Sequence, residues 1–363
     1  MKVAFINTDI NGGGAERATV NLANGLCELD DMEVYLFTGQ KKENEYKVNS
    51  KINRCCILRK RLFKDLFALR KELINEKIDI AIGMGIYSNF CVCIVNFGLK
   101  TKMVISERNS PLHDHISKKS KALRFLVYRN ADAYVFQTQE AKKFYSKGIQ
   151  NKGCVIHNSV RSGLPVKTNI NKKEIVAIGR LMPQKNYEML LCAMKEVHHK
   201  HPEYILRIFG EGKEQEKLQR ISVELEIQDV VKFEGFTLDV HEKIKDSAIY
   251  VMSSDFEGMP NSLMEAMAMG FPVISTDCPC GGPGELIKNG ENGVLIPIGD
   301  FKKMAMEIIQ LIENPKKCSE LGKNAIKIRE THNQDVIISE WVKFLCGSEV
   351  KNVRRNKYNH VSS

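Results

Sequence analysis

No window of this 363-residue chain approaches the roughly 18 consecutive uncharged apolar residues of a membrane-spanning helix. A helical membrane anchor is therefore not expected. The start, MKVAFINTDINGGG, runs straight into a strand and a glycine loop. It has neither the apolar length nor the cleavage site of a secretory signal, so a cytoplasmic location is expected. Cysteines number 11, an odd count, and none forms a C-x-x-C pair. Cys91/Cys93 and Cys278/Cys280 are C-x-C pairs, with no second pair and no histidine cluster to complete a zinc site. Reduced, buried cysteines are the simpler expectation. No close internal repeat is visible.

What is present is the composition of a soluble globular protein, 43% hydrophobic and 27% charged. The length allows two domains of ordinary size, each with its own core. The net charge is +10, and it is clustered. RKRLFKDLFALRKELINEK, from Arg59 to Lys77, carries seven basic and three acidic residues. SKKSKALRFLVYRN, from Ser117 to Asn130, carries five basic and no acidic ones. An anionic membrane surface or a phosphate-bearing acceptor would explain such clusters. Nucleic acid is the rival, but no nucleic-acid-binding motif occurs. A solvated helix face is the plain alternative.

Apolar, β-rich runs alternate with helical patterns. The strand candidates of the first half are 2–7, 33–38, 79–83, 102–106, 133–137 and 154–157, with helices at Ala15 to Leu29 and Leu62 to Glu76. Such alternation predicts a parallel sheet with helices on both faces. NSVRSGLPVKTNINKK, 158–173, is polar and aperiodic and reads as a linker. The alternation restarts at 174–179, 204–209, 230–235, 249–253, 272–276 and 293–297. Three helices, Phe301 to Glu313, Lys316 to Arg329 and Gln334 to Cys346, close the chain before a polar, basic tail, 347–363, that is expected to be disordered. The predicted fold class is α/β, two Rossmann-like domains facing each other across a cleft, spanning 1–160 and 174–330. Ligands in such sheets bind beyond the carboxyl ends of the strands, hence in that cleft.

The most informative stretch is DFEGMPNSLMEAMAMGFPVISTDCPCGGPGELI, residues 255–287. Glu257 and Glu265 stand eight apart, with a loop turning into a short buried helix between them. Pro260 is expected at the first helical position and Gly270 just past the end. Both carboxylates then sit near a positive helix end, where free N–H groups also favour phosphate. Arg180 and Lys185 flank the turn after the strand at 174–179. A guanidinium fork and an ammonium point charge together suit a diphosphate. Gly12, Gly13 and Gly14 follow the first strand, but their spacing is not the dinucleotide fingerprint. Taken alone, such a loop is as consistent with a tight turn. No D-x-D pair occurs to hold a divalent ion. Arg, Lys and helix N–H groups are the candidate phosphate partners, so no metal or other cofactor is expected.

Four segments in order, INGGGAERATVNLANGL, IGRLMPQKN, FGEGKEQEKL with VKFEGF, and the E-x7-E stretch, resemble family 4 glycosyltransferases, retaining enzymes of the GT-B fold. The resemblance runs nearly the whole chain. It implies that Glu257 takes the donor sugar's hydroxyls, Glu265 the ribose, and Arg180 and Lys185 the diphosphate. Arg180, Lys185 and Glu257 are then the catalytic set. Gly258, Met259, Asn261 and Ser262 complete the donor loop, and Gly13 and Gly14 border the donor phosphate or the acceptor pocket. Glu16 and Arg17 are candidates for the cleft or, equally, first-turn residues of their helix. SERNSP, Ser106 to Pro111, places Arg108 and Asn109 where many relatives carry a histidine. Arg108 cannot act as a base at neutral pH, so its contribution would be electrostatic or positional. His113 and His115 are not obvious substitutes, and His157 and Asn158 fall near the hinge or in the core. The resemblance also implies a final helix, about 334–346, that crosses back onto the first domain, with Trp341 and Phe344 as anchors.

The expected activity is transfer of a hexose or N-acetylhexosamine from a nucleotide-diphosphate sugar, preferably a UDP-sugar, to a lipid-linked or polysaccharide-precursor acceptor. The expected location is the inner face of the cell membrane, held peripherally. A GT-B-like sugar-nucleotide epimerase is the rival enzyme, and it would need added acid and base residues in the cleft. A non-catalytic glycosyltransferase-like subunit is the rival from another class, and it would be expected to lose the phosphate cations or the cleft glutamates.

Overall fold

A computed structural model describes residues 1–43, 45–95, 98–108, 111, 124–167 and 172–347. Asn109, His113, His115, residues 117–123 of the second basic cluster and the tail beyond Gly347 lie outside the described residues.

Strands β1 (Lys2–Ile6), β2 (Glu33–Thr38), β3 (Asn53–Cys56), β4 (Ile80–Met84), β5 (Lys102–Ser106), β6 (Ala133–Phe136) and β7 (Gly153–Val155) form one parallel sheet in the order β3-β2-β1-β4-β5-β6-β7. Strands β8 (Glu174–Ile178), β9 (Ile205–Phe209), β10 (Val231–Gly235), β11 (Ile249–Met252), β12 (Val273–Thr276) and β13 (Val294–Ile296) form a second, in the order β10-β9-β8-β11-β12-β13. Each central strand is apolar on both faces, because helices cover both sides of a parallel sheet. The expected α/β architecture is thus the observed one. The strand missing from the expected set is β3. NRCC carries no apolar run, and it pairs at the sheet edge with only β2 beside it.

On one face of the first sheet, α1 (Gly14–Leu26) buries Val20, Leu22, Ala23 and Leu26. The helix Gln334–Cys346 returns from the far end of the chain to pack beside it, with Trp341 fully buried in the same core. Close approach of the two depends on Gly25, where a Cβ would lie 1.8 Å from Ile338 Cδ1. The opposite face carries α2 (Leu62–Asn75) and α3 (Ile86–Val95), with Leu69, Leu73, Cys91 and Val92 in that core. No described helix is long and apolar enough to cross a membrane. Two helix boundaries differ from expectation. Pro260 is the extended N-cap (φ −78, ψ 101) and Asn261 opens the helix Asn261–Ala268. The second-last pattern, 316–329, is interrupted at Ile326 and Lys327, leaving Pro315–Ala325 and Ile328–Thr331.

A chain of polar groups ties the two halves at the hinge. His157 Nδ1 lies 2.8 Å from His332 Nε2, and the two rings stack at 5.0 Å between centroids. His157 Nε2 lies 2.8 Å from Glu285 of the second half, whose other oxygen accepts the Gln139 N–H of the first at 2.5 Å. Thr331 closes the far end on His332 Nδ1 at 2.8 Å. Burial, reinforced by the neighbouring His157, pushes His332 down from 6.5 to about 4. A histidine held neutral in the fold but free to ionise when unfolded stabilises fully above the unfolded value, and that stability is lost as pH falls towards the folded one. Stability should therefore decline between pH 6.5 and about 4. Thermal unfolding of His332→Gln across that window is expected to show a shallower pH slope than the parent chain. An unchanged slope would contradict the assignment.

Candidate active site

The loops after β1, β8, β11 and β12 all leave the carboxyl ends of their strands and meet in the cleft between the sheets. Strand order reverses beside β1 and beside β8, which are the switch points where such sheets open a crevice.

After β8, residues Pro183–Lys185 form one 3-10 turn and Asn186 adopts the left-handed region (φ 42) as N-cap of the helix Tyr187–Lys200. Its side chain accepts from Met189 N and donates to Asp255 at 2.7 Å. Gln184 donates to Phe256 O at 2.9 Å, Asp255 N donates to Gln184 O at 2.9 Å, and Ser253 Oγ donates to Lys185 O at 2.8 Å. The loop after β8 is thereby laced to the loop after β11. The result is that Lys185 Nζ and Glu257 Oε1 meet at 2.6 Å, with Ser254 Oγ donating to the same oxygen at 2.8 Å. Both charged side chains are nearly buried, so the geometry is set by the lacing and not by chance encounter.

Glu265, in the second turn of the helix Asn261–Ala268, has both oxygens engaged. Arg17 Nη2 of α1 reaches Oε1 at 2.7 Å, and His241 Nε2 reaches Oε2 at 3.1 Å. Arg17 comes from the opposite side of the cleft. Its neighbour Glu16 folds its carboxylate back over the start of α1, beside Gly13. Burial raises the Glu16 carboxyl above its usual range, opposed by its own backbone hydrogen bond and by the charge of Arg180 across the cleft. Asn261 donates to Gly14 O at 3.2 Å, so the N-termini of two helices face each other there. That pairing concentrates positive helix ends on one spot, as an anion site requires.

The structure thus brings together Gly13, Gly14, Glu16, Arg17, Arg180, Lys185, Glu257, Asn261 and Glu265. Gly258 approaches the Arg108 carbonyl so closely that a Cβ there would lie 3.2 Å from it. Met259 is buried in the second core, and Ser262 lies in the first turn of the helix Asn261–Ala268. Arg108 is the departure. Its guanidinium does not enter the cleft: it donates to Asn158 Oδ1 at 2.8 Å and lies over the Trp341 ring at 5.8 Å. Burial pushes it down to about 10, and it stays charged. Asn158 continues the link to Asn261 at 2.9 Å. Arg108 is a strut between the first sheet, the hinge and the returning helix. Sequence reasoning missed His241, Ser254, Asn186 and Glu285. Asn186 carries a local signal as an N-cap residue, whereas the others become visible only through a partner in the folded chain.

Residues 162–328 match the model for glycosyl transferases group 1, and residues 12–162 match that for glycosyltransferase family 4. The GalNAc-alpha-(1->4)-GalNAc-alpha-(1->3)-diNAcBac-PP-undecaprenol alpha-1,4-N-acetyl-D-galactosaminyltransferase of Campylobacter jejuni is 30% identical over 97% of this chain and 99% of its own length. The chain is a family 4 glycosyltransferase. An uncharacterized glycosyltransferase of Haemophilus influenzae is 28% identical, covering 94% of the chain and 98% of that protein. Anabaena HepE, solved with UDP and glucose, shares the fold at a TM-score of 0.81 and 17% identity, covering 96% of the glycosyltransferase and all of HepE. The architecture is GT-B, as the resemblance implied.

The Glu257 loop of the glycosyltransferase leans on Gly282. A Cβ there would lie 1.7 Å from the Gly258 carbonyl oxygen, which is backbone and cannot swing away. Gly282→Ala is expected to displace that loop by an ångström or so and cut sugar transfer by on the order of a hundredfold. The check is a transfer assay beside circular dichroism that shows the fold retained. Parental activity would mean that Glu257 needs no such support.

Proposed function

We propose that this glycosyltransferase is a retaining enzyme that moves a hexose or N-acetylhexosamine from a UDP-sugar to a lipid-linked or polysaccharide-precursor acceptor. The observation that carries the reading is the laced Lys185–Glu257 pair. Arg180 and Lys185 supply positive charge where a leaving diphosphate develops negative charge. Glu257 is released to the sugar hydroxyls when Lys185 turns to phosphate, and Glu265 takes the ribose. Two cations and two facing helix N-termini serve the phosphates, so a divalent ion is not required. The UDP in HepE and the undecaprenol-linked substrate in the name of the Campylobacter relative support the donor and acceptor classes.

In a transfer assay with excess EDTA, the parent chain is expected to keep its activity. Lys185→Ala and Glu265→Ala are each expected to lose tenfold to a hundredfold, on the order of one charge-assisted donor contact. Full activity in both variants overturns the site assignment, and activity restored only by magnesium or manganese overturns the metal-free reading.

The acceptor surface is the outer face of α2. Leu69 and Leu73 point into the core, whereas Phe63 and Phe67 are 85% and 74% exposed. Arg59, Lys60, Arg61, Lys64 and Lys71 are exposed around them. Apolar side chains ringed by cations suit shallow seating on an anionic bilayer, with about 1 kcal/mol per basic residue, screened by salt. Co-sedimentation with anionic vesicles is expected to weaken as salt rises and in Phe63→Ser/Phe67→Ser. Equal partitioning onto neutral and anionic vesicles, or none at low salt, overturns the membrane reading.

A further inference from the structure

Glu265 is held across the cleft as well as from its own side. The Arg17 guanidinium meets Oε1 at 2.7 Å, with side-chain exposures of 22% and 6%. One helical turn away, the Asn261 amide meets Gly14 O at 3.2 Å. Contacts this short leave no room for another atom between the partners. A ribose therefore cannot reach Oε1 from the cleft while the pair is intact. The pair also bridges separate bodies, since Arg17 rides on α1 of the first sheet and Glu265 on the second. His241, by contrast, belongs to the second half and moves with Glu265. It holds the carboxylate in one orientation whichever group occupies Oε1.

We propose that Arg17 is an internal competitor of the donor's ribose at Glu265, so that donor binding and release of the Arg17–Glu265 pair are one event. The proposal rests on the reading of Glu265 as the ribose carboxylate. Losing the guanidinium without replacement would strand a buried carboxylate, so the exchange is cheap only because ribose hydroxyls hydrogen-bond the same oxygen. Ribose hydroxyls can replace the guanidinium because each carboxylate oxygen accepts from any N–H or O–H donor. The competition has a definite sign. Groups that bind donor lose affinity when removed, whereas a competitor gains affinity for the donor when removed.

The test is calorimetric titration of the full chain with UDP. Arg17→Ala is expected to bind UDP tighter, by on the order of threefold to tenfold, with Arg17→Lys between it and the parent. Alanine favours the helix at this position, so the fold is expected to survive. Glu265→Ala is the internal control and is expected to bind UDP weaker by at least about tenfold. Weaker or unchanged binding by Arg17→Ala, together with the loss in Glu265→Ala, overturns the role of Arg17 and leaves the site reading standing. Unchanged binding by Glu265→Ala removes the site reading and the proposal with it.

Discussion

The contact on which the rest depends is the 2.6 Å ion pair between Lys185 and Glu257. Neither charge is stable alone at that depth, because removing one partner of a buried pair leaves the other desolvated and unmatched. Each side chain therefore enforces the position of its loop, and the Asn186–Asp255 and Gln184–Phe256 hydrogen bonds enforce it again. The two loops follow β8 and β11, adjacent strands at the centre of the second sheet. Central strands are the least mobile part of such a domain, so a site hung from them is held rigid without help from substrate. On the proposed reading, a diphosphate entering this site meets cations already in place and has only to displace a carboxylate that the sugar can then use.

The same logic repeats between the halves. Arg17 of the first half pairs with Glu265 of the second, and the charge of Arg180 acts on the Glu16 carboxyl. Charges across the cleft thus serve as counterions to one another, which limits unpaired buried charge there. Behind the cleft, Arg108, Asn158 and Asn261 form a hydrogen-bonded line from the first sheet to the donor helix. Trp341 lies against that line from the returning helix. The chain end is in this way a working part of the hinge.

Much of this was legible in the order of residues. Period-two and continuous apolar runs located the strands of both sheets, because parallel strands buried on two faces have no polar alternation to confuse them. Only β3 escaped, since an edge strand of sequence NRCC needs no apolar run. Lys185, Glu257 and Glu265 could be singled out as candidates because charged types stand there beside a turn and a helix start, and the structure places each of them in a close ion pair. Their partners were not. His241 reaches Glu265 across 24 residues of sequence, and Ser254 is one serine among many until its hydroxyl is seen on Glu257. Arg108 was misplaced for the opposite reason: its side chain turns inward to Asn158 and the ring of Trp341. In α2 the apolar stripe was visible, yet Phe63 and Phe67 could be told from Leu69 and Leu73 only once the sheet fixed the rotation of the helix.

The most direct measurement is a crystal structure of the chain with UDP bound. The account predicts that a phosphate oxygen replaces Glu257 Oε1 on Lys185 Nζ, that the ribose hydroxyls lie on Glu265, and that Arg17 has left it. Nucleotide bound with the Lys185–Glu257 and Arg17–Glu265 pairs both unbroken, or bound away from them, would contradict it.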